Sequence, residues 1–255
     1  MEEKFAITDR TKVRRLRDRG CYDRPAVYKI LDEGLVCHVG YSEGDSPRVI
    51  PTGYVRMGDN LYLHGSAANH MLKMAIRGAE LCVTVTLLDG LVLARSAMHH
   101  SMNYRSVVIF GRARAVEDPE EKLMSLEAFV EHVVPGRWAD IRQPSETELK
   151  VTEVIALPLT EASAKIRTGP PIDDEEDYDL DCWAGVIPLR LDARTPLADS
   201  RLDPSIPVPG YAESYNRDGG SEECGERRPE SEQGKSGIKV DGADNARLRP
   251  SSSAQ

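Results

Sequence analysis

Apolar and polar positions along the first 200 residues change period several times, and the changes mark out elements. Thr8 or Asp9 can cap a short basic helix running to Leu16, with Gly20 past its end; Asp23 followed by Pro25 opens a second helix that stops at Gly34. From Leu35 the pattern shortens to that of strands. Leu35–Tyr41 and Arg48–Met57 are rich in β-branched and aromatic residues and are separated by turn chemistry, which predicts an antiparallel pair, and a short strand follows from Leu61 to His64. A helix is expected from about Ala67 to Arg77, capped by Ser66. Leu81–Leu88, the dipeptide Asp89-Gly90 and Leu91–Ala97 read as a hairpin, since Asp-Gly between β-rich runs favours the primed turns. A long strand is predicted from Tyr104 to about Val116, with Val107 and Ile109 on one face and Ser106, Val108 and Phe110 on the other. Asp118-Pro119 then caps a helix to about Val134, with Leu123, Leu126, Phe129, Val130 and Val133 at helical spacing, and Val151–Leu159 returns to strand. Six or more antiparallel strands with few helices predict a mainly β protein, a small β-barrel with peripheral helices.

The 255-residue chain is long enough for one domain with a full core, assigned here to residues 1–208. Residues 209–255 are polar, charged and without period, the composition of a disordered tail. A net charge of −9 argues against sequence-independent nucleic-acid binding and leaves room for an anionic small ligand at a local basic patch. Five scattered cysteines without a C-x-x-C pair read as thiols of a reducing compartment, and no apolar run suggests a leader or a membrane span, so a soluble cytoplasmic protein is expected.

Four stretches offer chemistry. In LYLHGSAANH a strand ends at His64, Gly65 allows a close turn, and Ser66 with the first amides of a helix would suit a phosphate, with Lys73 adding charge; the alternative is a plain capping serine. Arg105, beside Ser101, Asn103, Tyr104 and Ser106, has the donor fork for phosphate oxygens or for a surface ion pair. In RVIPTGYVR, Pro51 cannot donate to a ladder and Gly53 leaves room, so this strand faces a ligand or is an edge. EASAKIRTGPP puts Lys165 and Arg167 on one face if extended. Trp183 is a large planar surface whose default role is core or interface anchor. His99 and His100 are adjacent and on opposite faces of a regular strand, so they cannot chelate one metal ion together, and no metal is expected.

GLVCHVGY, VIPTGY, LYLHGSAA, VTVTLLDGLVLARSAMHHSMNYRSVVIFGRAR, VPGRW, EASAKIRTGPP and WAGVIPL, in this order between Ile7 and Pro204, resemble the flavin-nucleotide-binding branch of the pyridoxamine 5′-phosphate oxidase-like family, the branch that includes nitroimidazole-reductase-type resistance proteins. The resemblance implies an FMN-binding split β-barrel and a homodimer with FMN in grooves between subunits. It implies Pro51, Thr52 and Gly53 along the ring edge, Gly65, Ser66 and Lys73 by the phosphate, Tyr104, Arg105 and Ser106 completing the pocket, Trp183 at the dimer contact, and His64 as the residue closest to chemistry. The substrate arginines and C-terminal motif of true pyridoxamine phosphate oxidases are not recognisable, so the activity implied is hydride or electron transfer between FMN and a small molecule. A haem protein with His64, His99 or His100 as axial ligand, a non-catalytic flavin sensor and a deazaflavin protein are the alternatives.

Overall fold

The computed structural model describes residues 3–216. Strand β1 (Gly20–Cys21) and helix α1 (Arg24–Glu33) precede four strands: β2 (Val36–Glu43), β3 (Ser46–Gly53), β4 (Val55–Met57) and β5 (Asn60–Ser66). Helix α2 (His70–Ile76) leads to the long strands β6 (Glu80–Leu93) and β7 (Ser101–Arg112), then β8 (Arg114–Ala115), α3 (Pro119–Val133) and α4 (Glu146–Val151). Strands β9 (Thr152–Pro158), β10 (Glu161–Arg167) and β11 (Gly185–Pro188) complete the sheets, and a helical turn α5 (Gly210–Glu213) follows.

The protein is mostly β, and among the described residues all the ladders are antiparallel. One sheet has the order β1-β10-β7-β6-β2-β3 with β11 also paired to β6, and the other has the order β4-β5-β9-β8. The chain steps between sheets at three short corners: Tyr54 joins β3 to β4, Ala113 joins β7 to β8, and Leu159-Thr160 joins β9 to β10. Tyr54 and Leu159 are buried there, and the Tyr54 hydroxyl donates to the Leu31 carbonyl at 2.6 Å, which ties one corner to α1. These corners hold the sheets face to face, the split-barrel arrangement, although among the described residues the ladders do not close into a single ring.

Period-2 alternation decides which residues meet. Leu61 and Leu63 of β5, with Ile155 and Leu157 of β9, join Val83, Val85, Val107, Ile109 and the inner face of α1 in the main core. The opposite positions, Tyr62, Val154 and Ala156, form a second cluster against Ala128 and Phe129 of α3. His64 lies two residues beyond Tyr62 and so faces α3 too. Pro119 at the first helical position and the Asp118 carboxylate accepting from the Glu120 and Glu121 amides start α3 where its sequence predicts.

Four expectations change. Asp89-Gly90 is not a turn: β6 continues through it with a register shift between Leu88 and Gly90, because β7 flanks one edge while β2 and then β11 flank the other. The Asp89 carbonyl accepts from Leu189 N at 3.0 Å. No helix forms over Thr8–Leu16; the Thr11 hydroxyl accepts from the Thr8 amide, and Leu16 is left-handed at φ 56°. Helix α2 begins later than Ser66 predicts, at His70, because Asn69 is its cap, accepting from Leu72 N at 3.2 Å. Of the stretch read as a tail, Pro209–Asn216 is described: α5 lies in it, and Tyr215 donates to the Val133 carbonyl at the end of α3. Residues 217–255 lie outside the described residues.

Candidate functional site

The expected site residues fall into separate groups. Pro51, Thr52 and Gly53 lie at the end of β3, whose only ladder among the described residues is with β2, so its outer edge is unpaired, as the proline suggests. The room at Gly53 is already used: a Cβ there would stand 2.8 Å from the Phe129 ring. The same ring meets His64 edge-on, with centroids 4.5 Å apart. Gly53, Phe129 and His64 thus form one wall, backed by His132, whose Nε2 lies 2.8 Å from the Gly34 carbonyl. Burial under α3 lowers the His64 pKa below its ordinary value of 6.5, so the imidazole is neutral at pH 7.

Gly65 and Ser66 end β5, opposite Glu153 and Thr152 of β9. The exposed Ser66 hydroxyl accepts from the Ala68 amide at 3.2 Å, and Lys73 is exposed on α2. This turn does not build the expected phosphate cradle, since the helix starts four residues later and is seven residues long.

Arg105 shares the inward face of β7 with Val107 and Ile109, where an arginine needs partners. It has two. Nη2 donates to Glu33 and Asp89, at 2.7 Å each, Nε donates to Asp89 at 3.0 Å, and Nη1 donates to Glu33. Hydrogen bonds that it donates to Glu33 and then to Asp89 raise its pKa further above the ordinary arginine value. As it stands, this guanidinium is neutralised by carboxylates, and it is a strut between α1, β6 and β7. Among the described residues nothing joins it to Ser66, which lies in the other sheet. Tyr104 and Ser106 flank it, half-buried, and the Ser106 hydroxyl donates to the Lys165 carbonyl.

A second arginine, on the neighbouring strand, behaves differently. Arg167 ends β10 opposite Tyr104 and is only 6% exposed. Its acceptors are all neutral: the Asn103 side-chain oxygen, the Gly169 carbonyl at 3.3 Å and the Pro170 carbonyl at 3.2 Å. Its Nε is buried and makes no hydrogen bond among the described residues. Desolvation first, and then the neighbouring charge of Arg19, lower its pKa. The sequence marks Arg167 as a cation sharing a face with Lys165; what it does not show is that no carboxylate among the described residues pairs with it.

Trp183 is 67% exposed and packs over Gly185 at the start of β11, so it is not a core residue. The two adjacent histidines are not in a strand, as the alternation argument assumed, but in a 3-10 turn over Ala97–His99 that His100 ends, and they find different partners. His99 has its nitrogens near Asp173 and Asp174, and with Asp173 and Asp177 it places three potential ligand atoms within 4.8 Å of one another. Asp173 is already held by the Arg95 and Ser96 amides and the Arg95 guanidinium. His100 is exposed, with Nδ1 2.9 Å from the Ser96 carbonyl; Nδ1 must donate there, which leaves Nε2 a free lone pair.

No helix of the described residues is long and apolar enough to cross a membrane. No curated protein matches the sequence. The structure of the flavocytochrome Anf3 from Azotobacter vinelandii is 43% identical, with a TM-score of 0.76 over 80% of this chain and 95% of that one. The structure of the FAD and heme binding protein from Mycobacterium smegmatis is 32% identical, with a TM-score of 0.73 over 76% of this chain and 95% of that one. The family described as pyridoxamine 5′-phosphate oxidase matches residues 23–166, and the chain, with its face-to-face antiparallel sheets, belongs to the pyridoxamine 5′-phosphate oxidase-like family.

Proposed function

We propose that this chain is a flavin-binding redox protein that passes hydride or electrons between the flavin and a small molecule, working as a homodimer in the cytoplasm. The observation that carries this reading is the 43% identity to a flavocytochrome over nearly all of that protein's length. The fold offers a suitable place. The unpaired edge of β3 at Pro51, Thr52 and Gly53 presents backbone groups that a ring edge can hydrogen-bond, and the neutral imidazole of His64 with Phe129 stands behind it. A bound flavin supplies the redox chemistry; the chain orients the ring and keeps a proton-accepting group close to it. Exposed apolar residues on β3, Val49 and Ile50, and the exposed Trp183 are surfaces that a second copy would cover. FMN, which the sequence resemblance implies, and FAD, named for the M. smegmatis relative, share the ring and a phosphate. Denaturing the purified protein and weighing the released cofactor separates them, and protein that neither carries a flavin nor takes one up from solution ends the proposal.

A second reading adds haem to the same chain, since one relative is described as a flavocytochrome and the other as an FAD and heme binding protein. Of the histidines considered as axial ligands, His100 fits best. Its Nδ1 is held by a backbone carbonyl in the manner of metal-bound histidines, its Nε2 is free, and the nearby Met98 and Met102 are 88% and 52% exposed. His64 is wedged against Phe129, and His99 is turned toward aspartates. Haem added to the protein gives a Soret band in this reading, and His100→Ala shifts or removes it; an unchanged spectrum in that variant rejects His100.

A further inference from the structure

We propose that Arg167 and Arg19, with Asn103 and Tyr104, form a seat for the phosphoryl group of a bound nucleotide. The proposal rests on the flavin reading above and assigns the anionic end of the ligand to residues other than Ser66 and Arg105.

A guanidinium buried to this degree gives up hydration, a loss that an opposite charge ordinarily offsets. Here, among the described residues, carbonyl and amide oxygens are the only acceptors. Nη1 is used twice and Nη2 once, which leaves a buried Nε–H without a partner and one Nη2 hydrogen, two donors of the kind that bind phosphate oxygens. A second cation makes the bare arrangement worse. Arg19 follows the basic run from Lys12 to Arg17 and precedes β1, which pairs Gly20 with Lys165, so Arg19 is carried alongside β10. It is half-exposed and forms no ion pair among the described residues. Asn103 is itself 8% exposed; its amide donates to the Gly169 carbonyl at 3.1 Å while its oxygen receives Arg167, which fixes the guanidinium from the β7 side. In a chain of net charge −9, two adjacent unneutralised arginines around a buried fork are a place built for an anion.

The test uses the full-length protein, freed of any bound cofactor, as wild type, Arg19→Ala and Arg167→Lys, each checked for folding by circular dichroism. Arg167→Lys keeps the charge and loses the fork, and the half-exposed Arg19→Ala serves if the buried variant fails to fold. Flavin fluorescence titrations compare FMN and FAD with riboflavin, which has the ring and no phosphate. The seat predicts that each folded variant binds the nucleotides about tenfold more weakly, the loss of one charge-assisted contact, with riboflavin affinity unchanged. If the variants instead weaken NADPH binding and leave FMN and FAD alone, the phosphoryl group belongs to a dinucleotide donor and the seat still stands. Wild type that binds no flavin defeats the flavin reading alone; the seat is then read from pyrophosphate, which should raise the melting temperature of wild type and not of the variants. Folded variants that match wild type toward FMN, FAD, NADPH and pyrophosphate overturn the seat.

Discussion

Arg105 and Arg167 sit on adjacent strands, one residue out of register, and the protein treats them in opposite ways. Arg105 is the more exposed of the two and is gripped by two carboxylates. Arg167 is nearly sealed from water and is gripped by none. Burial alone therefore does not tell a structural cation from a functional one; the partner's charge does. A strut is complete in the free protein. A binding group keeps part of its electrostatic demand open for the ligand, and the fold bears the cost until the ligand arrives.

The largest effect expected from breaking this contrast is at the strut. Arg105→Met leaves Glu33 and Asp89 without the cation between them and should lower stability by about 2–3 kcal/mol, less than for a fully buried pair because each partner keeps some contact with water. Urea denaturation of the cofactor-free protein measures it. Next is Glu33→Gln, which keeps Asp89 in place and replaces a charged acceptor with a neutral one; the same curves should shift by about 1–2 kcal/mol. Arg167→Met sharpens the comparison from the other side. Without nucleotide it should cost clearly less than Arg105→Met, because relief of a buried charge that no carboxylate among the described residues neutralises offsets the lost hydrogen bonds to Asn103, Gly169 and Pro170. A loss equal to that of Arg105→Met would make the two arginines equivalent and erase the distinction. The smallest effect is set by pH and serves as a control, since neither guanidinium titrates near neutrality. His64 is neutral in the fold with a depressed pKa, so the unfolded chain binds more protons below 6.5. Stability should be full above pH 6.5 and decline as pH falls from there toward the lower folded value. His64→Gln should flatten that limb, leaving the Arg105 and Arg167 effects in place.

Much of the fold was legible because its signals are local. Asp23 with Pro25, and Asp118 with Pro119, start α1 and α3 where the sequence places them. The strands β2, β3 and β9 follow runs with β-branched residues, and β5 follows the short apolar run from Leu61 to His64 after a turn. Asp89-Gly90 misled because its fate is set by residues far along the chain: Pro188 pairs with Gly90, and Arg105 claims the Asp89 carboxylate. Ser66 misled because two polar residues compete for one helix start, and Asn69, reaching the Leu72 amide, wins. The candidate site was legible in part. The unladdered strand at Pro51 was visible in the residues themselves, whereas the filling of Gly53 by Phe129 joins positions more than seventy residues apart. Arg167 was visible as a cation, but being unpaired is a property of everything around it, and no local pattern records that.

The straight run of β6 through Asp89 has a consequence for how the protein is made. Its first half is covered by β2, which leaves the ribosome earlier, while its second half waits for residues 185–188. During synthesis, Leu91 and Val92 therefore present an open hydrogen-bonding edge over the time needed to add nearly a hundred residues, a template for association with other chains. Truncation before β11 should yield protein that aggregates rather than a smaller soluble domain, and slow, cool expression should favour the full-length form.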